Sequence, residues 1–238
     1  MPVNQMPVNQ WIELPVSDGT TMRAYVSRPG SGKYPGLIVL QEAFGLNAHI
    51  RDVTERFGRE GFCAIAPEIL HRTITPGQEF PYGDFEAARP HVNAVTTETA
   101  GQDLRACFDW LQSQPNVDGR HISSVGFCLG GRVSFIANSL LPLWRAVSFY
   151  GGRIATTLLD RVSLQQGPIL FFWGELDTHI PKDQRDTLTA ALREHKKDYV
   201  NVEISFANHG FFCNDQPAVY RRDASRYAWG LTLDFLKS

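Results

Sequence analysis

From about residue 35 onward the chain alternates two kinds of segment. Gly36–Leu40 (GLIVL) is a short apolar run rich in β-branched residues, the pattern of a strand buried on both faces. Ile50, Val53 and Phe57 then fall on one helical face that stops at Gly58 or Gly61, and Phe62–Ala66 is a second buried strand ended by Pro67. Residues 71–98 carry Pro, Gly and charge without clear periodicity and read as a long loop or cap-like insertion. Leu104, Cys107, Phe108 and Leu111 follow the i, i+3, i+4, i+7 spacing of an amphipathic helix. His121–Val125 predicts a strand running into Gly126, and Arg132–Asn138 a helix. Ala146–Tyr150 and Pro168–Trp173 predict two more buried strands. Leu188, Ala191, Leu192 and His195 mark a helix, Val200–Phe206 a strand, and Ala224, Tyr227, Ala228 and Leu231 a closing helix.

Apolar strands that alternate with amphipathic helices predict an α/β fold, a mostly parallel central sheet with helices on both faces. In such sheets the reacting groups lie outside the carboxyl ends of the strands, which directs the search for chemistry. No shift in composition marks a boundary, so residues 11–238 read as one domain. Residues 1–10 are a duplicated MPVNQ, read as a disordered or artefactual leader and set aside.

Composition narrows the function classes. A 238-residue chain folded as one unit buries roughly 70–75% of the surface its unfolded form exposes, enough for a core without disulfides or structural metal. Lys+Arg 23 against Asp+Glu 25 leaves no basic excess to drive nucleic-acid binding. No apolar run approaches the roughly 18–20 residues of a membrane span, and no basic-then-apolar start reads as a secretory signal. The four cysteines (Cys63, Cys107, Cys128, Cys213) form no C-x-x-C pair, and none of the seven histidines sits in H-E-x-x-H, so no metal site is expected. Phosphate-binding glycine loops are absent as well, and no organic cofactor is expected. A cytoplasmic protein with free thiols fits these features; the oligomeric state stays open between monomer and dimer.

The chemistry concentrates after the strand at 121–125. Gly126-Phe127-Cys128-Leu129-Gly130-Gly131 is the G-x-S-x-G nucleophile elbow with cysteine in the serine position. The glycines let the strand turn sharply into a helix, which lifts the Cys128 thiol above the sheet near the positive helix end. The backbone N–H of Leu129 can then face an oxyanion. A cysteine in such a turn can also be inert, so the motif needs partners at later strand ends. Asp177 follows the strand ending at Trp173, and His209 follows the strand ending near Phe206. The order Cys128, Asp177, His209 is the nucleophile–acid–base order of the α/β-hydrolase fold. Glu175 is an alternative acid, offset by two residues.

Together these residues resemble the dienelactone hydrolase (carboxymethylenebutenolidase) family of α/β-hydrolases. The resemblance spans about residues 12–236 and rests on G-F-C-L-G-G and on Gln41-Glu42-Ala43-Phe44-Gly45-Leu46-Asn47. It implies that Glu42 contacts the catalytic thiol and helps take its proton, and that the N–H of Ala43 completes the oxyanion hole. Two departures concern substrate. An arginine that the family places four residues after the histidine is Cys213 here, and the two tyrosines it often shows after the strand at 146–150 are Phe149 and Tyr150. Arg89 is a poorly aligned counterpart of a second family arginine. Phe44, Arg89, Phe149, Tyr150, Phe211 and Cys213 are therefore the candidates for lining the substrate.

The reaction these features imply is hydrolysis of a small-molecule carboxylic ester or lactone through a thioester on Cys128. His209 carries the proton and Asp177 orients it. A general cysteine-dependent esterase or thioesterase with a neutral substrate is the alternative, and a non-catalytic binding protein on the same fold is a second. A glutamine-amidotransferase-like enzyme also opens with G-x-C-x-G, but its H-x-E pair is not met, because Phe211 stands two residues after His209.

Overall fold

In the computed structural model, which describes residues 7–238, alternation near the N-terminus builds a hairpin that the sequence reading passes over. β1 (Val8–Pro15) pairs antiparallel with β2 (Thr21–Arg28). The turn between them is closed by Asp18, whose carboxylate accepts from the Thr20 N–H at 3.0 Å and hydroxyl at 2.6 Å. Leu14, Met22, Ala24 and Val26 are buried, while the Arg23 guanidinium covers the half-exposed Trp11 ring at 4.2 Å. Part of the supposed leader is thus structured: Val8, Asn9 and Gln10 are ladder residues of β1, and Met1–Met6 lie outside the described residues.

The chain divides into two compact units, Met1–Ser123 and Ser124–Ser238. In the first, the strand order is β1-β2-β4-β3, with β3 (Tyr34–Leu40) parallel to β4 (Cys63–Pro67). Helix α1 (Ala48–Arg59) makes the crossover between them. Its N-cap Asn47 accepts from the Ile50 N–H, and it buries Ile50, Val53 and Phe57, the face that the spacing predicts. Residues 71–98 are more ordered than the sequence suggests. Helix α2 (Phe85–Ala94) runs through them, capped by Asp84 and burying only Ala88 and Val92, with Pro90 inside. So small an apolar face and an internal proline hide a helix from periodicity. Helix α3 (Thr97–Ser113) starts on a Thr96/Thr99 capping box and buries Leu104, Cys107, Phe108 and Leu111 as expected. Its buried Asp103 receives two hydrogen bonds of 2.9 Å from Arg72 and meets His71 at 3.2 Å, which pins the chain after β4 to this helix.

β5 (Val117–Phe127) carries the chain into the second unit. There Ser124–Phe127 pair with β6 (Ala146–Phe149), followed by β7 (Ile169–Gly174) and β8 (Tyr199–Ile204), all parallel. β6 and β7 are buried along their whole length, the signature of strands covered on both faces. The helices are α4 (Leu129–Leu140), the short α5 (Ile154–Thr157), α6 (Lys182–Glu194) and α7 (Arg222–Lys237). α4 is buried almost throughout, from Leu129 to Ser139. Near the carboxyl ends of these strands the core is aromatic: Phe149 lies 4.8 Å from Phe127, 4.6 Å from Phe172 and 5.0 Å from Phe212, ring centre to ring centre. Among the described residues no helix is long and apolar enough to cross a membrane.

Candidate active site

Cys128 joins β5 to α4 with φ 53° and ψ −112°, a backbone conformation that L-residues rarely hold. The bend is fixed from both sides. Its N–H donates to the Phe149 carbonyl at 3.0 Å, and its carbonyl accepts from the Arg132 N–H at 3.2 Å. Space at the bend admits only glycine. A Cβ on Gly126 would collide with the Gly130 carbonyl, and one on Gly131 would stand 2.6 Å from the Phe149 carbonyl oxygen. Leu129 is the first residue of α4, so its N–H belongs to the donors that a helix start leaves without an intrahelical partner.

Asp177 follows β7 in a turn closed by its N–H on the Gly174 carbonyl at 3.3 Å. Its carboxylate is buried and fully engaged. One oxygen lies 2.8 Å from Nδ1 of His209, and the other accepts the His179 N–H at 2.8 Å. Burial alone would push this carboxyl up, but the hydrogen bond and charge of His209, with the His179 N–H, hold it below the usual range. Glu175, the alternative acid, is exposed.

His209 sits on the loop after β8, its ring 5.0 Å from that of Tyr150 and 5.3 Å from that of His179. The Cys128 side chain lies near enough to the same ring to act on its charge. Burial works against its charged form. The neighbouring Cys128 and the hydrogen bond and charge of Asp177 outweigh that, raising the imidazole well above its ordinary value. Within the second unit the structure therefore joins Asp177 to His209 by a hydrogen bond and places Cys128 near the same imidazole. The acid end is closed, while Cys128 and His209 remain partly exposed.

In the first unit, Gln41, Glu42 and Ala43 follow β3 and are all buried. The Tyr82 hydroxyl donates to Oε2 of Glu42 at 3.2 Å, and the Tyr82 ring meets Phe44 edge-on at 4.9 Å. The other substrate-lining candidates divide by environment. Phe149, Tyr150, Phe211 and Cys213 are enclosed, each at most 1% exposed, whereas Phe44 is half-buried. Arg89 is exposed on α2, paired with Glu86 and resting over the Phe85 ring.

Three neighbours of the candidate residues were not expected from the sequence: Tyr82 on Glu42 in the first unit, and His179 on Asp177 and Arg132 near Cys128 in the second. Arg132 is 8% exposed, and among the described residues it has no side-chain hydrogen bond or ion pair. Burial pushes its guanidinium down and so does the neighbouring Arg153 charge, while Cys128 acts the other way. A charged residue directly after G-F-C-L-G-G, on a helix otherwise almost free of charge, was the available signal. Tyr82 and His179 carried no comparable signal, because their roles depend on loop conformation.

The family model described as the dienelactone hydrolase family matches residues 22–238. A Synechocystis protein named "Putative carboxymethylenebutenolidase" is 36% identical over 218 residues, covering 86% of this chain and 87% of its own. The crystal structure of a Klebsiella pneumoniae protein described as "Putative Dienelactone Hydrolase" is 28% identical, with a TM-score of 0.90 over 98% of this chain and 100% of the other. A "Dienelactone Hydrolase-like" promiscuous phosphotriesterase from metagenomic libraries, 23% identical, shares the fold at a TM-score of 0.81 over 96% of this chain and 98% of its own.

Proposed function

The chain belongs to the dienelactone hydrolase family and has its α/β-hydrolase fold, and from that premise we propose that it hydrolyses small carboxylic esters or lactones through a thioester on Cys128. The observation that carries this reading is the buried Asp177–His209 hydrogen bond with Cys128 near the same imidazole, each residue following its own parallel strand. Asp177 fixes the imidazole by its Nδ1, which turns the rest of the ring toward the nucleophile. The Cys128 sulfur attacks the acyl carbon, and His209 hands its proton to the departing alcohol oxygen. A water deprotonated by His209 then cleaves the thioester, releasing the acid and restoring the thiol.

The N–H of Leu129 serves as an oxyanion donor, a contribution on the order of 3–4 kcal/mol in comparable sites. Glu42 and Ala43 keep within this proposal the roles that the resemblance implies, acceptor of the thiol proton and second oxyanion donor. A cytoplasmic setting, which keeps Cys128 reduced, belongs to the same proposal.

Cys128→Ala tests it. Turnover of p-nitrophenyl acetate should fall by about 10³-fold or more while the melting temperature holds. Retention of more than about a tenth of the rate in a folded variant would remove Cys128 as nucleophile.

A further inference from the structure

Glu42 is 2% exposed just past β3, and a proton acceptor works best with its carboxylate held in one orientation. Its neighbour Tyr82 comes from the stretch between β4 and α2. We propose that Tyr82 is a positioning residue for Glu42, its hydroxyl held by Asn47 so that it donates to one chosen oxygen of that carboxylate.

The direction of each hydrogen bond follows from the residue before it. Oδ1 of Asn47 accepts the Ile50 N–H at 3.2 Å as the N-cap of α1, and this fixes which way the amide faces. Nδ2 of Asn47 is then the donor that meets the Tyr82 oxygen at 2.8 Å. With a lone pair so occupied, the phenol directs its own O–H to Oε2 of Glu42, 3.2 Å away. A carboxylate offers no donor, so the relay runs one way, from helix start to phenol to acid.

Tyr82 is itself located by independent contacts. Its ring packs edge-on against Phe44 at 4.9 Å, two residues along the chain from Glu42. Two residues before Tyr82, the Phe80 N–H donates to the Phe44 carbonyl at 3.0 Å. Arg51 on α1 donates at 2.7 Å both to Glu79 and to the Leu46 carbonyl. The segment 79–82 is therefore tied to 44–51 at four places, and the hydroxyl arrives with its geometry already set. A hydrogen bond to a charged acceptor is stronger than one between neutral groups, so this one selects a single orientation of the acid. The inference rests on the role proposed above for Glu42.

Tyr82→Phe removes the hydroxyl and keeps the ring, and a cycle with Glu42→Gln separates positioning from packing. The expected result is a loss of about 10-fold in kcat for Tyr82→Phe, with KM held within about twofold and an unchanged melting temperature. In the Glu42→Gln background the same change should alter kcat by less than about twofold. Equal losses in both backgrounds, or no loss in either, would overturn the assignment of Tyr82. A wild-type kcat for Glu42→Gln, with Cys128→Ala inactive, would instead remove Glu42 itself from the reaction. Should Glu42→Gln not fold, Glu42→Asp replaces it in the cycle, since it keeps the charge and withdraws the carboxylate by one methylene.

Discussion

Four thiols share one chemistry and differ only in surroundings. Burial pushes the Cys63 thiol up to about 11 against the pull of Arg28, and burial together with Asp103 raises that of the enclosed Cys107 well above the ordinary value. Cys213 is fully buried, whereas Cys128 is partly exposed near His209, whose imidazole is raised well above its ordinary value. Because the thiolate is the nucleophile, a group titrating near 11 is ionised to roughly a thousandth or less at pH 7.5. Iodoacetamide at that pH, followed by peptide mapping, should label Cys128 at least about 100-fold faster than Cys63 or Cys107. Raising the pH toward 10 should accelerate Cys63 and leave the enclosed Cys107 unlabelled until the protein unfolds. Comparable labelling of Cys107 and Cys128 in folded protein would contradict this ordering. At this scale the meeting of Asp177 with His209, and the nearness of Cys128, were legible because strand ends and chain order single these residues out. The choice of Asp177 over Glu175 was readable only as an offset of two residues; the structure adds that one is buried on His209 and the other exposed. Tyr82 and Arg132 were not found, since what a loop tyrosine or a buried arginine touches is set by tertiary packing.

Among the elements, the β5–α4 bend has the least freedom, since backbone meets backbone there with no side chain able to yield. A Cβ on Gly131 would face the Phe149 carbonyl oxygen at 2.6 Å and the Gly151 Cα at 2.9 Å, so α4 would have to move away from β6. Gly131→Ala should cost about 2–3 kcal/mol, a fall in melting temperature of roughly 4–12 °C for a chain of this size. Its esterase rate should fall further than the stability loss explains, because Cys128 and the Leu129 N–H ride on the displaced helix. Gly230→Ala in α7 is the control: its Cβ would meet nothing within 4 Å, and exchanging Gly for Ala within a helix stabilises by about 1 kcal/mol. Equal melting temperatures for the two variants would refute the packing argument. Elements buried on both faces, β3, β4, β6 and β7, were readable as apolar runs. β1 and β2 were not, because each exposes part of its surface and its alternation is diluted by polar residues. α7 was found with half of the expected face turned inward. Ala224, Ala228, Thr232 and Phe235 point inward, whereas the expected Tyr227 and Leu231 are 56% and 36% exposed. A buried threonine among those positions breaks the apolar stripe that periodicity relies on.

Over the whole chain, the distribution of cations bears on which substrates are accepted. Net charge is −2, so there is no broad positive field to gather anionic esters, and a carboxylate on the substrate needs a local anchor. The resemblance puts Cys213, which is fully buried, where the family has an arginine, and Arg89 is exposed and already paired with Glu86. A planar guanidinium fork binds a carboxylate by two charge-assisted hydrogen bonds, and a thiol cannot reproduce them. Losing such a pair costs about 1.5–3 kcal/mol, or about 10–150-fold in kcat/KM. A neutral methyl ester should therefore be hydrolysed at least about 10-fold better than the same lactone as its free acid. The ratio should stay nearly constant when salt is raised, because no exposed ion pair is being screened. Arg132 is the residue on which the opposite result would turn, being buried in α4 one turn after Cys128 and unpaired among the described residues. If the free acid is preferred, and Arg132→Gln abolishes that preference while leaving turnover of the methyl ester intact, then a cation that sequence comparison did not point to supplies the anchor, and the argument from Cys213 fails.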